Sequence, residues 1–576
     1  MKRIAQLFHL FGNYRRDLAI AALLVFVETC FELIIPTMMA DLIDNGVAYA
    51  DVEYMFLKGG QMALCAILAL ATGLTYARFA ARAAYGWGAN IRRAEYAGIQ
   101  SYAFSNIDRY ETSSLVTRLT SDVTVMQNAI NNGLRPLVRA PVMCALGVFF
   151  SFTMNPELAL VFLVITPLLG LVLFLIVRSV APMYSRLQKT VDDLNGVVEE
   201  NLRAVRTVKA FVRDEYEESK FERVDKALYH TATRTNSRAV LNLPIFQMAM
   251  CICVLCLMFF GGMMVLDGTL LVGQLTGFLS YVMQVLNSMM MLSNVFLLLT
   301  RSVASADRIC QVLDEVPSLE EREDPVRTVK DGGIVFDHVS FRYSEKAMEN
   351  TLSNISLDIR PGSTLGILGG TGSGKSTLVQ LIDRLYDVSE GRITVGGVDV
   401  RDYSLQTLRD AVAMVLQKNL LFSGTVRDNL RWGDEEADDE TLWKACEMAG
   451  AAEFLHRFPA GLDTDLGQGG VNVSGGQKQR LCIARALLKK PKVLILDDST
   501  SAVDTATEAS IRKALDRLDG VTKIFIAQRI STVMGADLIA ILDDGHLVAT
   551  GTHDELIATS PIYQEIYRSQ TKGGVL

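Results

Sequence analysis

Residues 364–378 read TLGILGGTGSGKSTL, and this stretch decides the fold of the second half of the chain. The apolar run Thr364–Leu368 has the length and composition of a buried β-strand. The next eight residues, Gly369–Ser376, match the pattern G-x-x-x-x-G-K-[ST], and Thr377 opens a helix. In such a loop the backbone N–H groups face phosphates, and a lysine such as Lys375 reaches the outer ones. The stretch therefore predicts a nucleotide-binding α/β domain.

Other short β-rich runs lie on both sides of this loop. They are Ile334–Phe336, Val412–Leu416, Val493–Leu496 and Ile524–Ala527. Helical stretches separate several of them, which predicts a largely parallel sheet. Asp497 directly follows the run at 493–496. A carboxylate in that position is typical of the residue that orders Mg²⁺ beside a nucleotide.

A glycine pair opens a later helix, Lys478–Lys490, within the sequence Ser474-Gly475-Gly476-Gln477. One interpretation is structural, because Ser474 and Gln477 have the spacing of a capping box. The other is functional, since a helix start with free N–H groups attracts an anion. The capping box accounts for the serine and the glutamine but not for the two glycines.

The first three hundred residues differ in character, because they carry six apolar runs long enough to cross a bilayer. These runs are Leu18–Ala40, Gly59–Phe79, Leu134–Met154, Leu158–Val180, Leu241–Leu266 and Leu270–Leu299. Lysines and arginines precede the first run and follow the second and fourth, whereas the other loops are short and acidic. We therefore expect both termini in the cytosol. The net charge of −8 gives no sign of a nucleic-acid partner.

Two basic connections of about fifty to sixty residues follow the second and fourth runs. Apolar residues such as Val191, Leu194 and Val198 recur there at helical spacing. We expect long helical hairpins that reach into the cytosol, with tips near Ser113–Arg118 and Ala210–Glu215. They form either a plain stalk or a lever that contacts the nucleotide-binding domain.

The motifs in their order resemble those of ABC transporters. The loop at 369–376, the segment Val473–Gln477, and Asp497 followed by residues 498–504 (DSTSAVD) resemble the Walker A, signature, Walker B and D-loop elements. Six spans ahead of one such domain resemble an exporter half-transporter over essentially the whole chain. This implies a transmembrane domain at 1–314, a linker at 315–333 and an α/β nucleotide-binding domain with a helical subdomain at 334–576.

The resemblance also assigns roles to single residues. Tyr343 matches the aromatic residue that stacks on adenine. Gln417 matches the glutamine that senses the γ-phosphate. Gln468 stands before the signature, where the family usually has a glutamate. The implied ATP contacts are Tyr343, Gly369, Gly370, Thr371, Gly372, Ser373, Gly374, Lys375, Ser376, Thr377, Gln417, Ser474, Gly475, Gly476, Gln477 and Asp504. The implied Mg²⁺ ligands are Ser376, Gln417 and Asp497. Two such domains close head to tail, so that each signature caps the nucleotide of the other chain.

Two catalytic positions depart from the family pattern. Asp498 stands where a glutamate usually polarises the attacking water, and Gln528 stands where histidine is usual. Together they predict a site that binds ATP and hydrolyses it poorly, while the signature at 474–477 is intact. This asymmetry resembles the degenerate half of heterodimeric, often multidrug, exporters. A slow homodimer, an ATP-gated channel and a regulatory subunit are the alternatives.

Glu28 and Glu32 are the sequence-based candidates for cargo binding. They lie four residues apart on one face of the first span, roughly 15–21 Å from its start. Carboxylates at that depth are costly unless they face a cavity or a partner. Either they line a cargo cavity, for which we prefer amphipathic or cationic drugs over lipids or peptides, or they pair with a neighbouring span or lie near the outer interface.

Overall fold

The computed structural model describes residues 2–344, 347–497 and 505–572. The chain separates into two compact units, one formed by Met1–Gln100 with Tyr110–Glu315 and the other by Ser101–Arg109 with Val316–Leu576. The short segment Ser101–Arg109 therefore belongs with the second unit, although it lies inside the domain predicted at 1–314.

Helices make up the chain as far as residue 314. They are α1 (Lys2–Leu7), α2 (Arg15–Asp41), α3 (Val52–Ser101), α4 (Phe104–Ile107), α5 (Thr112–Thr117), α6 (Val123–Met154), α7 (Pro156–Ala210), α8 (Asp214–Val240), α9 (Asn242–Leu266) and α10 (Val272–Asp314). The six predicted spans fall, to within two residues, in α2, α3, α6, α7, α9 and α10.

Four helical stretches within the described residues are long and apolar enough to cross a bilayer. They are Arg3–Val47, Val52–Ser101, Thr112–Met154 and Asp214–Leu266. These contain the first, second, third and fifth predicted spans. The fourth and sixth lie in α7 and α10, which are 55 and 43 residues long.

The two predicted hairpin tips have different outcomes. The second turn lies at residues 211–213, between α7 and α8, and so falls within the predicted range Ala210–Glu215. The prediction for the first tip is wrong, because residues 113–118 are helical and the chain turns earlier, around α4.

A buried amide explains the position of the first turn. The Asn106 side chain accepts a hydrogen bond from the Ala103 backbone N–H at 3.2 Å and so caps α4. It also donates to the Val316 carbonyl at 2.9 Å and accepts from the Ser318 N–H at 2.9 Å. These partners lie more than two hundred residues away, and no local pattern reveals them.

The second unit is an α/β domain. Its elements are β1 (Ile334–Phe341), β2 (Leu352–Ile359), β3 (Thr364–Gly369), α11 (Lys375–Ile382), β4 (Glu390–Val395), β5 (Val398–Asp399), α12 (Leu405–Ala411), β6 (Val412–Val415), α13 (Val426–Leu430), α14 (Asp439–Met448), α15 (Ala452–Leu455), α16 (Gly475–Leu488), β7 (Val493–Asp497), α17 (Thr505–Leu515), β8 (Thr522–Ala527), α18 (Ile530–Val533), β9 (Leu538–Asp543), β10 (His546–Gly551), α19 (His553–Thr559) and α20 (Pro561–Lys572).

A six-stranded sheet in the order β10-β9-β3-β8-β7-β6 forms the centre of this unit. Its strands are parallel except β10, which confirms the predicted largely parallel sheet. Every residue of β7 and β8 is buried, as expected for strands covered on both faces. The helices α13–α16 form the predicted helical part, and several of their side chains share one apolar core with the sheet.

A second sheet, antiparallel and in the order β2-β1-β4-β5, was not predicted. Its strand β2 alternates buried and partly exposed residues, so one of its faces packs on a core shared with β3 and α11. That core therefore includes side chains of the two elements on either side of the glycine-rich loop.

Candidate functional site

The ends of four neighbouring parallel strands, β3, β8, β7 and β6, bring the candidate residues together. In the ladders Leu368 pairs with Ala527, Asp497 with Ile526, and Val415 with Leu496. Because the carboxyl ends of parallel strands meet at one edge, the loops that follow them lie side by side. The edge therefore carries the glycine-rich loop, Gln528, Asp497 and Gln417 in spatial order.

The glycine-rich loop has a backbone that only glycine adopts without strain. Gly374 has φ +92° at the start of α11, and a side chain at Gly369 would clash with the Leu542 carbonyl. The Lys375 ammonium donates to the carbonyl oxygens of Gly369 at 2.9 Å and Gly370 at 2.5 Å. The lysine thus lies over the same cradle whose N–H groups are suited to phosphate oxygens.

Tyr343 stands at the rim of this loop, with half of its surface exposed (50%). Its hydroxyl lies 2.9 Å from the Thr377 hydroxyl, and partial burial raises the pKa of its phenol. Its ring meets Tyr386 edge-on at a centroid distance of 5.2 Å. An aromatic ring with half of its surface exposed can stack on a base.

Tyr386 is a residue that sequence reasoning missed. Its hydroxyl donates to the Asp108 carboxylate at 2.6 Å, and its ring contacts Phe104 at a centroid distance of 6.0 Å. Burial and this hydrogen bond raise the pKa of the Tyr386 phenol. The tyrosine therefore joins the α4 segment to Tyr343 within the second unit. A lone tyrosine eleven residues after Lys375 carries no signal for this in the sequence.

The predicted Mg²⁺ ligands offer hard oxygen atoms. Asp497 is 3% exposed at the end of β7, and Ser376 lies in the first turn of α11. Gln417 is exposed two residues beyond β6. Across the described residues no group of three or more His, Cys, Asp or Glu side chains could hold a metal by itself. Mg²⁺ is usually held by one or two protein groups together with phosphates.

Asp498 and Asp504 lie outside the described residues. Gln528 is described, and it follows β8 directly with its side chain in an exposed position. Its backbone is held by Gln570 of α20, whose amide donates to the Gln528 carbonyl at 2.8 Å and accepts from the Ile530 N–H at 2.8 Å. The C-terminal helix thus clamps the segment that carries Gln528. Sequence reasoning missed this clamp because its two halves are forty residues apart.

The signature segment forms the predicted capping box. The Ser474 hydroxyl accepts from the Gln477 N–H at 3.4 Å, and the Gln477 amide oxygen accepts from the Ser474 N–H at 2.8 Å. No atom lies within 4 Å of the position that a side chain at Gly475 would occupy. The capping-box interpretation is therefore correct for Ser474 and Gln477. The space around Gly475 leaves the start of the helix accessible, as the anion-binding interpretation requires.

Glu28 and Glu32 each pair with an arginine of α6. Arg135 Nη2 contacts Glu28 Oε1, and Arg139 Nη2 lies 2.6 Å from Glu32 Oε2. This is the arrangement of the structural alternative, in which the acids pair with a neighbouring span. A direct role of the two glutamates in cargo binding stays a prediction.

Comparison with known proteins places these features in one family. Residues 18–289 match the model described as the ABC transporter transmembrane region, and residues 352–501 match the model described as ABC transporter. The "Uncharacterized ABC transporter ATP-binding protein YfiB" of Bacillus subtilis (strain 168) is 38% identical over 96% of both chains. The chain belongs to the ABC transporter family.

Other relatives extend this result. The "Putative multidrug export ATP-binding/permease protein YgaD" of Bacillus subtilis (strain 168) is 32% identical over 97% of both chains. An "ATP-dependent lipid A-core flippase" of Desulfotalea psychrophila is 32% identical over 98% of this chain and 99% of the relative.

A solved structure shares the fold. It is a bacterial Atm1-family ABC exporter with ATP bound, with a TM-score of 0.82 over 97% of this chain and 99% of that chain at 24% identity. This ABC transporter chain thus joins a transmembrane region and an ATPase domain in one polypeptide.

We expect Gln570→Ala to speed the release of ATP from this chain. The change removes both hydrogen bonds that hold the segment around Gln528, and one such bond contributes about 1 kcal/mol, or about fivefold in an equilibrium constant. The measurement is the dissociation rate of a fluorescent ATP analogue from the assembled transporter.

Gln564→Ala supplies the matched control for this clamp. Gln564 lies on the same helix and donates to the Ile557 carbonyl at 2.7 Å. Equal release rates for the two variants would show that α20 acts only as a structural support.

Proposed function

We propose that this ABC transporter chain is the weakly hydrolysing half of a heterodimeric exporter. It retains ATP with Mg²⁺ in its own site and completes the catalytic site of a second, different half-transporter with its signature. One observation carries the proposal: Asp498 and Gln528 alter two catalytic positions, while Ser474–Gln477 keeps the full signature.

Asp498 shortens the side chain that would orient the attacking water. An aspartate has one methylene fewer than a glutamate, so its carboxylate reaches less far from the backbone by more than about 1 Å. A misplacement of that size costs roughly 10²-fold in rate. The adjacent Asp497 is unchanged, and this supports retention of the nucleotide with its metal ion.

Gln528 has the second altered side chain at the same edge of the sheet. An amide can hydrogen-bond to a γ-phosphate oxygen, but it cannot carry a positive charge or move a proton at neutral pH. Gln570 holds the segment around Gln528 in place. This supports a role for that segment at the site, although it lacks the usual histidine. Two impaired sites in a homodimer would turn over slowly, so we favour a partner with an intact site.

The cargo is proposed to be amphipathic, either a small drug-like molecule or a lipid, moved out of the cytosol or the inner leaflet. Two of the relatives have names that state a function, a putative multidrug exporter and a lipid A-core flippase, and both names support amphipathic cargo. We place the chain in the plasma membrane, and the lysine and arginine pattern supports an orientation with both termini and the nucleotide-binding domain in the cytosol.

Restoring the usual catalytic residues is expected to raise turnover. If this site works at about one hundredth of the partner's rate, Asp498→Glu combined with Gln528→His should raise total ATPase activity towards about twofold. The measurement is ATP hydrolysis by the purified complex. Adding Lys375→Ala to the repaired chain must remove the gain. Unchanged activity opposite an intact partner signature would contradict the assigned cause of the impairment.

The signature and the Walker lysine are expected to respond very differently to mutation. Gly476→Asp puts a carboxylate where the γ-phosphate of the partner's ATP must sit, so we expect loss of nearly all turnover. Lys375→Ala removes ATP only from the weak site and should leave substantial hydrolysis. The readouts are ATPase activity and ATP occupancy of each chain in the reconstituted complex.

Gly535→Asp is the control for the added charge. Gly535 lies in the same unit, with no atom within 4 Å of the position that an added Cβ would occupy. We expect that variant to hydrolyse ATP normally. Equal damage from Lys375→Ala and Gly476→Asp would favour a homodimer with two equivalent slow sites.

A further inference from the structure

The segment Ser101–Arg109 is part of the second unit, and its short helix α4 is fixed there by a buried side chain. This side chain is Asn106, whose amide bonds to backbone atoms of Val316 and Ser318. Asp108 comes two residues later, directly after the end of α4. The Asp108 carboxylate therefore has a defined position within the second unit.

Tyr386 connects this carboxylate to the candidate nucleotide site. Tyr386 is 8% exposed, and its hydroxyl donates to Asp108 Oδ2 at 2.6 Å. Its ring also contacts Phe104 of α4, at a centroid distance of 6.0 Å. Because a buried hydroxyl needs a hydrogen-bond partner, the Asp108 acceptor favours one orientation of the Tyr386 ring.

Tyr343 is the ring that Tyr386 supports. The two rings meet at 90° with a centroid distance of 5.2 Å, and Phe341 meets Tyr343 at 82° and 4.9 Å. The Tyr343 hydroxyl lies 2.9 Å from the hydroxyl of Thr377, which follows Ser376 in the first turn of α11. A change in the orientation of Tyr386 is thus passed to a half-exposed ring beside the phosphate-binding loop.

The base and the phosphates of a nucleotide depend on different parts of this site. A base that stacks on an aromatic ring needs that ring in one orientation, and such a stack typically strengthens binding by about tenfold. The phosphates instead meet Lys375 and the backbone N–H groups of Gly369–Ser376. A disturbance at Tyr386 should therefore weaken the contact with the base and leave the contact with the phosphates in place.

We propose that Tyr386 is a positioning residue for the base of ATP in this chain's own site, and that Asp108 sets its orientation. The inference rests on the proposed ATP-binding function and specifies how the base is held. Tyr343 stacks on adenine, Tyr386 orients Tyr343, and Asp108 orients Tyr386. Because Asp108 lies in the connection after α3, the retention of ATP depends on a residue outside the nucleotide-binding domain predicted at 334–576.

The test compares ATP with inorganic tripolyphosphate, which has the phosphates but no base. Each competes, together with Mg²⁺ and on ice, against an ATP analogue that carries a photoreactive group on its ribose. The transporter is assembled with its partner, and the label on this chain is read after the chains are separated. The concentration of ATP that displaces half of the label is divided by that of tripolyphosphate. This ratio measures the contribution of the base, and any change in affinity for the analogue cancels in it.

We expect Tyr386→Phe, which keeps the ring and removes the hydroxyl, to raise this ratio by about fivefold. Asp108→Ala removes the acceptor and should raise the ratio equally. The two changes together should add nothing further, because they break the same hydrogen bond. Asp108→Asn keeps a carbonyl oxygen as acceptor and should restore the ratio of the unaltered chain.

Tyr403→Phe is the matched control. Tyr403 is buried in the same unit, and its hydroxyl donates to the Val395 carbonyl at 2.8 Å. This variant should leave the ratio unchanged. Copurification with the partner verifies the assembly of each variant. Should Tyr386→Phe not assemble, the two substitutions of the exposed Asp108 carry the same comparison.

Three outcomes would overturn the inference. They are an unchanged ratio in Tyr386→Phe, equal weakening of ATP and tripolyphosphate in that variant, and an equal rise in the Tyr403→Phe control. An unchanged ratio in Tyr343→Ala would also overturn it, because the base would then not stack on Tyr343, while ATP binding through the phosphate loop would stand. Failure of ATP to displace the label from the unaltered chain would instead count against the proposed retention of ATP.

Discussion

Parallel alignment of β3, β8, β7 and β6 is the constraint on which the nucleotide site depends. Because these strands are neighbours in the sheet and point the same way, four segments that are far apart in the chain end at one edge. The loop after β3 then supplies backbone N–H groups, and the other three ends supply single side chains. A change at any one end leaves the other three in place, and on this ground we propose that the site has lost catalytic groups and still binds nucleotide.

Much of this site could be predicted from short sequence patterns. Gly369–Ser376 and the run ending in Asp497 predict both the local fold and the chemistry. The structure confirms the local fold, because strand and tight turn impose requirements on adjacent residues. The capping box at Ser474 and Gln477 is equally local. These predictions succeed because the physical cause lies within about eight residues of its effect.

The parts that were missed depend on contacts between distant segments. Tyr386 acquires its role from Asp108, Gln528 is clamped by Gln570, and Asn106 fixes the first hairpin turn through backbone atoms more than two hundred residues away. The arginine partners of Glu28 and Glu32 belong to another span. A periodic pattern identifies the face of a helix but not the side chain that meets it, so these ion pairs could not be predicted from α2 alone.

The central claim is that this chain retains ATP while its partner hydrolyses it. Vanadate traps ADP only at sites that have completed hydrolysis, so a photoreactive ATP analogue with vanadate can report where turnover occurs in the assembled transporter. After crosslinking and separation of the two chains, the account predicts trapped diphosphate on the partner and uncleaved triphosphate on this chain. Equal amounts of trapped diphosphate on both chains would contradict the account. So would ready trapping of diphosphate by a transporter that contains this chain alone.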